Sequence, residues 1–200
     1  MYLPKLREIR EALTSFFSAP YTTKFPAEPF TAAPEYRGKP RYQADGCVGC
    51  GTCLQVCPTG AITVADDLEA GVRTLTINFN VCMNCGQCEE HCITGKGVIM
   101  TPEHSLAIMD LNDKAAYEVI EHELLRCEGC GQVIAPRRHL EWVRDRLGAK
   151  AFAHPNFLLL DQERFTDIPP SHFKSRVRRE DQIKQVCAKC RNRVVVADEF

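Results

Sequence analysis

Apolar residues recur at near-helical spacing at the start of the chain: Leu3, Leu6, Ile9, Leu13, Phe16 and Phe17, with Lys5, Arg7, Glu8, Arg10 and Glu11 falling mostly between them. The spacing predicts a short amphipathic helix, and Pro4 is tolerated in its first turn. Nothing directly after the stripe offers it an apolar face. It is therefore expected to dock on the chain's own core or, as the favoured reading, on another subunit or a membrane surface. Pro20, Pro26, Pro29, Pro34 and Pro40 follow. Each removes a backbone donor and biases the preceding residue toward extended backbone, which predicts an extended strap. Tyr21, Phe25, Phe30 and Tyr36 make this strap too apolar for a free linker.

Further along, the period shortens. Ala61 to Val64 and Thr74 to Ile77 are β-type runs separated by the polar turn Asp66-Asp67-Leu68-Glu69-Ala70-Gly71, which predicts a hairpin. Val98 to Met100 is a further expected strand. Helices are expected over 114–125 and over 136–147, the second opened by Pro136 and closed by Gly148. Residues 149–182 give no clear element and contain Pro169-Pro170 and a charged patch from Lys174 to Asp181. Residues 193–197 are expected to form a strand.

Between these elements lies an internal repeat. Cys47 to Val64 aligns with Cys82 to Ile99 at an offset of 35, with all four cysteines of each half, Gly51/Gly86, Thr59/Thr94 and Gly60/Gly95 coinciding. A repeated unit means the same local structure built twice. Each half carries the spacing C-x2-C-x2-C-x3-C: Cys47, Cys50, Cys53 and Cys57, then Cys82, Cys85, Cys88 and Cys92. This is the bacterial [4Fe–4S] run, and its customary proline is present as Pro58. A cubane offers four iron corners, and a tight loop can set three sulfurs around one face. Such a loop favours small residues like Gly49, Gly51 and Gly86, which let backbone N–H groups approach the cluster. The fourth cysteine lies too far along to close the same cube, and in this motif it ligates the other cluster. The expected ligand sets are Cys47, Cys50, Cys53 and Cys92 for one cluster and Cys82, Cys85, Cys88 and Cys57 for the other. Ile93 stands where the second run would carry proline, which leaves its local turn open. A pair of zinc sites is the alternative for these thiols, but the runs are crowded for tetrahedral zinc.

Composition narrows the class. Twelve cysteines stand among 200 residues, and the net charge is −1. A near-neutral chain has no overall pull toward nucleic acid or anionic lipid. The densest apolar stretch, Phe157 to Leu160, is far too short to cross a bilayer, and the N-terminus lacks the pattern of a secretory signal. A cytoplasmic setting is expected, where thiols stay reduced and so many cysteines argue for metal rather than disulfides. Charge is uneven: residues 46–116 carry three basic and eight acidic side chains, an acidic island. Carboxylates disfavour adding an electron to an anionic cluster, so both clusters are expected to be low-potential.

Four cysteines remain. Cys127-x2-Cys130 and Cys187-x2-Cys190 are two knuckles, each able to supply two corners of a tetrahedral site. One structural zinc is the favoured occupant and a rubredoxin-like iron the alternative. His91 and His104 lie near the runs but are expected to be surface or core-packing residues, since eight cysteines satisfy two cubes. Arg137, Arg138, Arg176, Arg178 and Arg179 are interspersed with acids and lack an aromatic stacking pattern, so no nucleic-acid partner is expected. No phosphate-binding glycine loop or nucleophile constellation is present. The chain is therefore not expected to be an enzyme by itself.

The helical N-terminus before a proline strap, Tyr36-Arg37-Gly38-Lys39-Pro40 and both cysteine runs together resemble the two-cluster ferredoxin-like subunit shared by respiratory complex I and membrane-bound energy-converting [NiFe] hydrogenases. The added knuckles look most like the iron–sulfur subunit of formate hydrogenlyase and related hydrogenase-4-type complexes. That resemblance implies a peripheral electron-relay subunit on the cytoplasmic face of the inner membrane. Its implied partners are hydrogenase small and large subunits or their complex I-like equivalents, an upstream iron–sulfur donor subunit, and a membrane arm reached through other subunits. A free ferredoxin and a zinc-ribbon regulator or nucleic-acid adaptor are the competing functions. The expected fold is α+β in three parts: residues 1–45 as docking helix and strap, 46–116 as a two-cluster ferredoxin core, and 117–200 as a four-cysteine zinc-ribbon or rubredoxin-like domain.

Overall fold

The structure, a computed structural model, describes residues 5–105, 107–166 and 184–197. Leu3, Pro4, Pro169-Pro170 and the charged patch with Arg176, Arg178 and Arg179 lie outside the described residues. The chain divides into two compact units, Met1–Pro34 and Glu35–Phe200.

The first unit holds α1, Leu6–Phe17. Glu8 caps it by accepting the Lys5 backbone N–H (2.9 Å), and the Ser18 N–H closes it on the Thr14 carbonyl. No α1 residue is buried, so the stripe of Leu6, Leu13, Phe16 and Phe17 stands exposed. The prolines after it leave no further helix or strand up to Pro34.

The second unit mixes helix and sheet. In chain order it contains β1 (Pro40–Tyr42), α2 (Thr52–Val56), β2 (Ile62–Asp67), β3 (Val72–Asn78), α3 (Gln87–Glu90), β4 (Val98–Met100), β5 (Tyr117–Arg126), β6 (Val133–Pro136), α4 (Arg137–Leu147), α5 (Pro155–Thr166) and α6 (Ala188–Ala197), with 3-10 turns at Lys114–Ala116 and Gly148–Ala153. β1 pairs antiparallel with β4. β2, β3, β5 and β6 form one antiparallel sheet in that order, with Leu75 opposite Val64 on one side and Ile120 on the other. Two cores result. Tyr42, Ile62, Leu75, Ile77, Phe79 and Val98 pack with Cys47, Cys53 and Cys88, and a second cluster gathers Leu125, Ala151, Phe157 and Leu160. The predicted hairpin, the Val98–Met100 strand and the helix between Pro136 and Gly148 are all present. Among the described residues, no helix is long and apolar enough to cross a membrane.

Two elements differ from expectation. The stretch expected as helix over 114–125 is a single 3-10 turn followed by the ten-residue strand β5. Glu118, Ile120, His122 and Leu124 face inward, while Val119, Glu121 and Glu123 face solvent. This period of two is masked because two of its inward residues are polar, and Glu and Leu are good helix formers. The strand expected over 193–197 is the end of α6. Its β-branched Val194-Val195-Val196 yields to the turn begun by the second knuckle, where the Arg191 N–H bonds the Cys187 carbonyl (2.9 Å), and Val195 and Val196 stay exposed.

Candidate metal centres

The sequence repeat is also a backbone repeat. Left-handed residues pair at the same offset: Gly49 with Asn84, Gly51 with Gly86, and Gly60 with Gly95. Gly51 and Gly86 each open a short helix, α2 and α3. After the fourth cysteine, Gly60 N–H returns to the Cys57 carbonyl and Gly95 N–H to the Cys92 carbonyl, so the turn forms alike with Pro58 or Ile93. At Gly49 the need is steric as well, since a Cβ there would stand 2.9 Å from the His122 ring.

These loops surround two cavities. Cys47, Cys50, Cys53 and Cys92 line one, with Val48, Leu75 and Ile93 among its apolar walls. Cys82, Cys85, Cys88 and Cys57 line the other, with Ile62, Ile77 and Met83. The first cavity takes Cys47, Cys50 and Cys53 from one run and Cys92, with Cys88 at its edge, from the other; the second takes Cys82, Cys85 and Cys88 from one run and Cys57 from the other. Cys88 lines both, so the cavities adjoin.

The donor set fits a metal cluster. Burial, reinforced by the Cys50 and Cys47 thiols, pushes Cys53 up to about 11, and burial next to Cys53 pushes Cys88 up to about 12. Free anions are disfavoured there, while cationic iron relieves the crowding and takes four thiolates per cube. At Cys92 burial pushes the thiol up, but hydrogen bonds from Thr94 and the backbone outweigh it and leave the group below its ordinary value. The Gly97 N–H, 3.3 Å from Cys92 Sγ, is one of these donors.

The segment Tyr36-Arg37-Gly38-Lys39-Pro40 braces the second loop. It extends β1 against residues 101–103, with the Gly38 N–H on the Thr101 carbonyl (2.8 Å) and the Lys39 N–H on the Glu103 carbonyl (3.0 Å). A Cβ at Gly38 would meet the Glu103 carbonyl oxygen at 2.1 Å, so only glycine fits. That register sets Arg37 to donate to the Cys85 carbonyl (3.0 Å).

The last four cysteines also converge. The Sγ atoms of Cys127, Cys130, Cys187 and Cys190 lie within 4.8 Å of one another, and Cys130 and Cys187 are 3.7 Å apart. Tetrahedral bonds of ~2.3 Å set sulfurs ~3.8 Å apart, so the set fits one tetrahedral ion. The knuckles are joined by the Glu128 N–H on the Gln185 carbonyl and by the Cys187 N–H on Cys127 Sγ (3.3 Å). Buried Asn156, at the start of α5, clamps Val186 by donating to its carbonyl (3.1 Å).

A family model described as a 4Fe-4S dicluster domain matches residues 33–96. Residues 33–96 are a 4Fe-4S dicluster domain. Among curated proteins, formate hydrogenlyase subunit 6 of Escherichia coli (strain K12) is 34% identical over 122 residues, covering 60% of this chain and 66% of that protein. The chloroplastic NAD(P)H-quinone oxidoreductase subunit I of Chloranthus spicatus is 35% identical over 99 residues, covering 47% and 54%. The chain thus spans between half and two thirds of the length of these relatives. A chain of a solved archaeal respiratory complex, the membrane-bound sulfane sulfur reductase, aligns at 27% identity and a TM-score of 0.41, over 55% of this chain and 59% of that one.

The dicluster domain holds both cysteine runs, and the four-cysteine site lies beyond it. Three residues from downstream in the chain brace its first loop, and sequence reasoning missed their roles. Arg73 Nη1 donates to the Gly49 carbonyl (3.2 Å), Arg138 donates to the Ala44 and Asp45 carbonyls, and buried His122 places Nε2 3.2 Å from Cys47 Sγ. Burial, with Arg138 and Arg73 beside it, holds the His122 imidazole below its ordinary value. The histidines singled out from the sequence do less. His91 is exposed, and His104 stacks edge-on to Tyr36. The period-two inward face of 118, 120, 122 and 124 was the signal that could have found His122.

Proposed function

We propose that this chain is an electron-transfer subunit of a hydrogenase-type or complex I-like redox complex. Cys47, Cys50, Cys53 and Cys92 would hold one [4Fe–4S] cluster, and Cys82, Cys85, Cys88 and Cys57 the other. Bound clusters supply reversible one-electron chemistry; the protein supplies apolar-walled, adjoining sites and hydrogen bonds to the ligand sulfurs. The observation that carries this reading is the pair of cysteine-lined cavities sharing Cys88 as a common wall. Adjoining sites support a relay rather than two separate sensors.

In this reading residues 1–45 are a docking arm, 46–116 the relay and 117–200 a brace. The exposed apolar stripe of α1 supports a subunit over a freely diffusing carrier. Formate hydrogenlyase subunit 6 and the quinone oxidoreductase subunits I, named for the complexes they belong to, support the same choice. The partners are then hydrogenase or complex I-like subunits and an upstream iron–sulfur donor, on the cytoplasmic face of the inner membrane. The chain itself performs no chemistry on a small molecule. At the four-cysteine site we assign one structural zinc, which staples α6 to the β5–β6 turn in a zinc-ribbon manner.

The test is iron, acid-labile sulfide and zinc per chain on protein purified without oxygen. About eight iron, eight sulfide and one zinc are expected. A ninth iron without zinc makes the last site rubredoxin-like. Two or three zinc and no sulfide refute the electron-transfer reading.

A further inference from the structure

The two cavities are built from one repeated motif, yet their sulfurs are not equally served by hydrogen-bond donors. In the first, every cysteine faces a side chain that can donate. His122 Nε2 is 3.2 Å from Cys47 Sγ, Thr52 Oγ1 3.3 Å from Cys50 Sγ, Tyr42 Oη 3.9 Å from Cys53 Sγ, and Thr94 Oγ1 3.3 Å from Cys92 Sγ. In the second, Thr59 Oγ1 lies 3.7 Å from Cys57 Sγ, while the atom 3.4 Å from Cys82 Sγ is Asn84 Oδ1, which only accepts. Cys82, Cys85 and Cys88 have no side-chain donor among the described residues. The Thr59–Cys57 and Thr94–Cys92 contacts are the same feature repeated and cancel in the comparison. The difference rests on His122, Thr52 and Tyr42.

His122 is the strongest of these donors. A cysteine bound to iron has given up its proton, and a bare ring nitrogen would be repelled by that anionic sulfur. The Nε2 facing Cys47 therefore carries the hydrogen and donates. The ring is 4% exposed, so water does not screen this bond. It comes from β5, where Arg73 of β3 stands opposite in register, and its contact with the Gly49 position keeps it against the loop.

A hydrogen bond to a ligand sulfur stabilises the more negative state of a cluster, the one that has gained an electron, and so raises its potential. We propose that His122, supported by Thr52 and Tyr42, makes the cluster held by Cys47, Cys50, Cys53 and Cys92 the more easily reduced of the pair. One electron shared between the two then rests at this site, which is reduced as the Cys57/Cys82/Cys85/Cys88 site is oxidised, and no proton moves. The inference rests on the two-cluster reading above and adds an order of potentials to it.

The test is a redox titration of the full chain followed by electron paramagnetic resonance, with iron and sulfide counted on every sample. Low counts in the wild-type chain would sink the two-cluster reading itself. With full counts, His122→Leu is expected to lower the potential of one cluster, shifting its reduced-to-oxidised ratio about tenfold at a fixed potential (~59 mV for one electron). The other cluster should not move. His122→Gln, which keeps an N–H, should recover part of the shift. In the wild-type chain the more easily reduced signal should show hyperfine coupling to 15N-labelled histidine. Unchanged potentials in a fully loaded His122→Leu chain, or coupling on the harder-to-reduce signal, would overturn the proposal. Should His122→Leu fail to load, Thr52→Val decides. A downward shift of the same cluster, smaller than tenfold, supports the proposal, and no shift overturns it.

Discussion

Gly97 is the point where the first cluster site has least room. A Cβ at this position would stand 3.0 Å from Cys92 Sγ, 3.1 Å from the Cys47 Cα and 3.2 Å from Thr94 Oγ1. The first and third neighbours are side-chain atoms, but the second is backbone and cannot turn aside. Gly97→Ala therefore drives apart two cysteines that come from different runs and share one cavity. Overpacking of this kind costs about 1–3 kcal/mol. Moving Gly97 also stretches its N–H bond to Cys92 Sγ, 3.3 Å long, and a hydrogen bond to a charged group is worth about 1.5–3 kcal/mol. A combined loss of about 3 kcal/mol lowers the melting temperature by about 6–12 °C in a chain of this size. None of Cys82, Cys85, Cys88 and Cys57 is among the three nearest neighbours of the new methyl group. The expected outcome is half the iron and sulfide, with one cluster signal lost and the other intact. Gly95→Ala is the control: its φ is +66° and nothing lies within 4 Å of its Cβ. It carries backbone strain of about 1–2 kcal/mol without intruding on a sulfur, and it should keep both clusters. Full iron in Gly97→Ala, or equal loss in both variants, would refute the reasoning.

Three further outcomes follow from the same geometry. Cys57→Ala lies in the first run but should abolish the signal of the second cluster, as read by paramagnetic resonance; loss of the first signal instead would overturn the crossed ligand sets. Deleting residues 1–20 should leave both clusters formed and lower co-purification with partner subunits, and full assembly would refute the docking role of α1. Arg41 bridges Glu103 (2.7 Å) and Glu118 (2.6 Å), and with Lys39 it holds the Glu103 carboxyl below its ordinary value. A carboxyl depressed by folding contributes stability above its unfolded value of 4.5, and that contribution is lost as pH falls through the lower folded value. Glu103 is well exposed, so screening limits the contribution to about 1 kcal/mol or less. In urea melts the wild-type chain should exceed Arg41→Met by about that much at pH 6, with the gap closing below pH ~4; a gap that widens in acid would be the wrong sign.

The sequence showed the chemistry more clearly than the scaffold. Cysteine spacing is a local property, set within a dozen residues, and it pointed to both runs and to two knuckles separated by 56 residues. Tyr36 to Pro40 stood out as a pattern, but its reason is not local. Gly38 is required by the Glu103 carbonyl, which lies 65 positions away in the chain. The hairpin was legible because its apolar positions alternate and its turn is polar. The helix after Pro136 was legible because Pro136 and Gly148 mark both of its ends.

β5 was misread because it breaks the rule that makes strands legible. Two of its four inward positions, Glu118 and His122, are polar. Each finds its partner far earlier in the chain: Glu118 in Arg41 on β1, and His122 in Cys47 in the first cluster loop. An apolar pair at these positions would have read as a strand and packed as one, but it would have left Arg41 with one partner fewer and Cys47 Sγ without its imidazole. Local pattern and tertiary role conflict at the two positions where the strand ties into the dicluster domain. Such conflicts are where natural sequences keep residues that local structure does not ask for. His122 shows this most clearly. A β-branched residue at this buried place in a central strand would serve the sheet at least as well, so its presence is better explained by the sulfur it faces than by the strand it sits in.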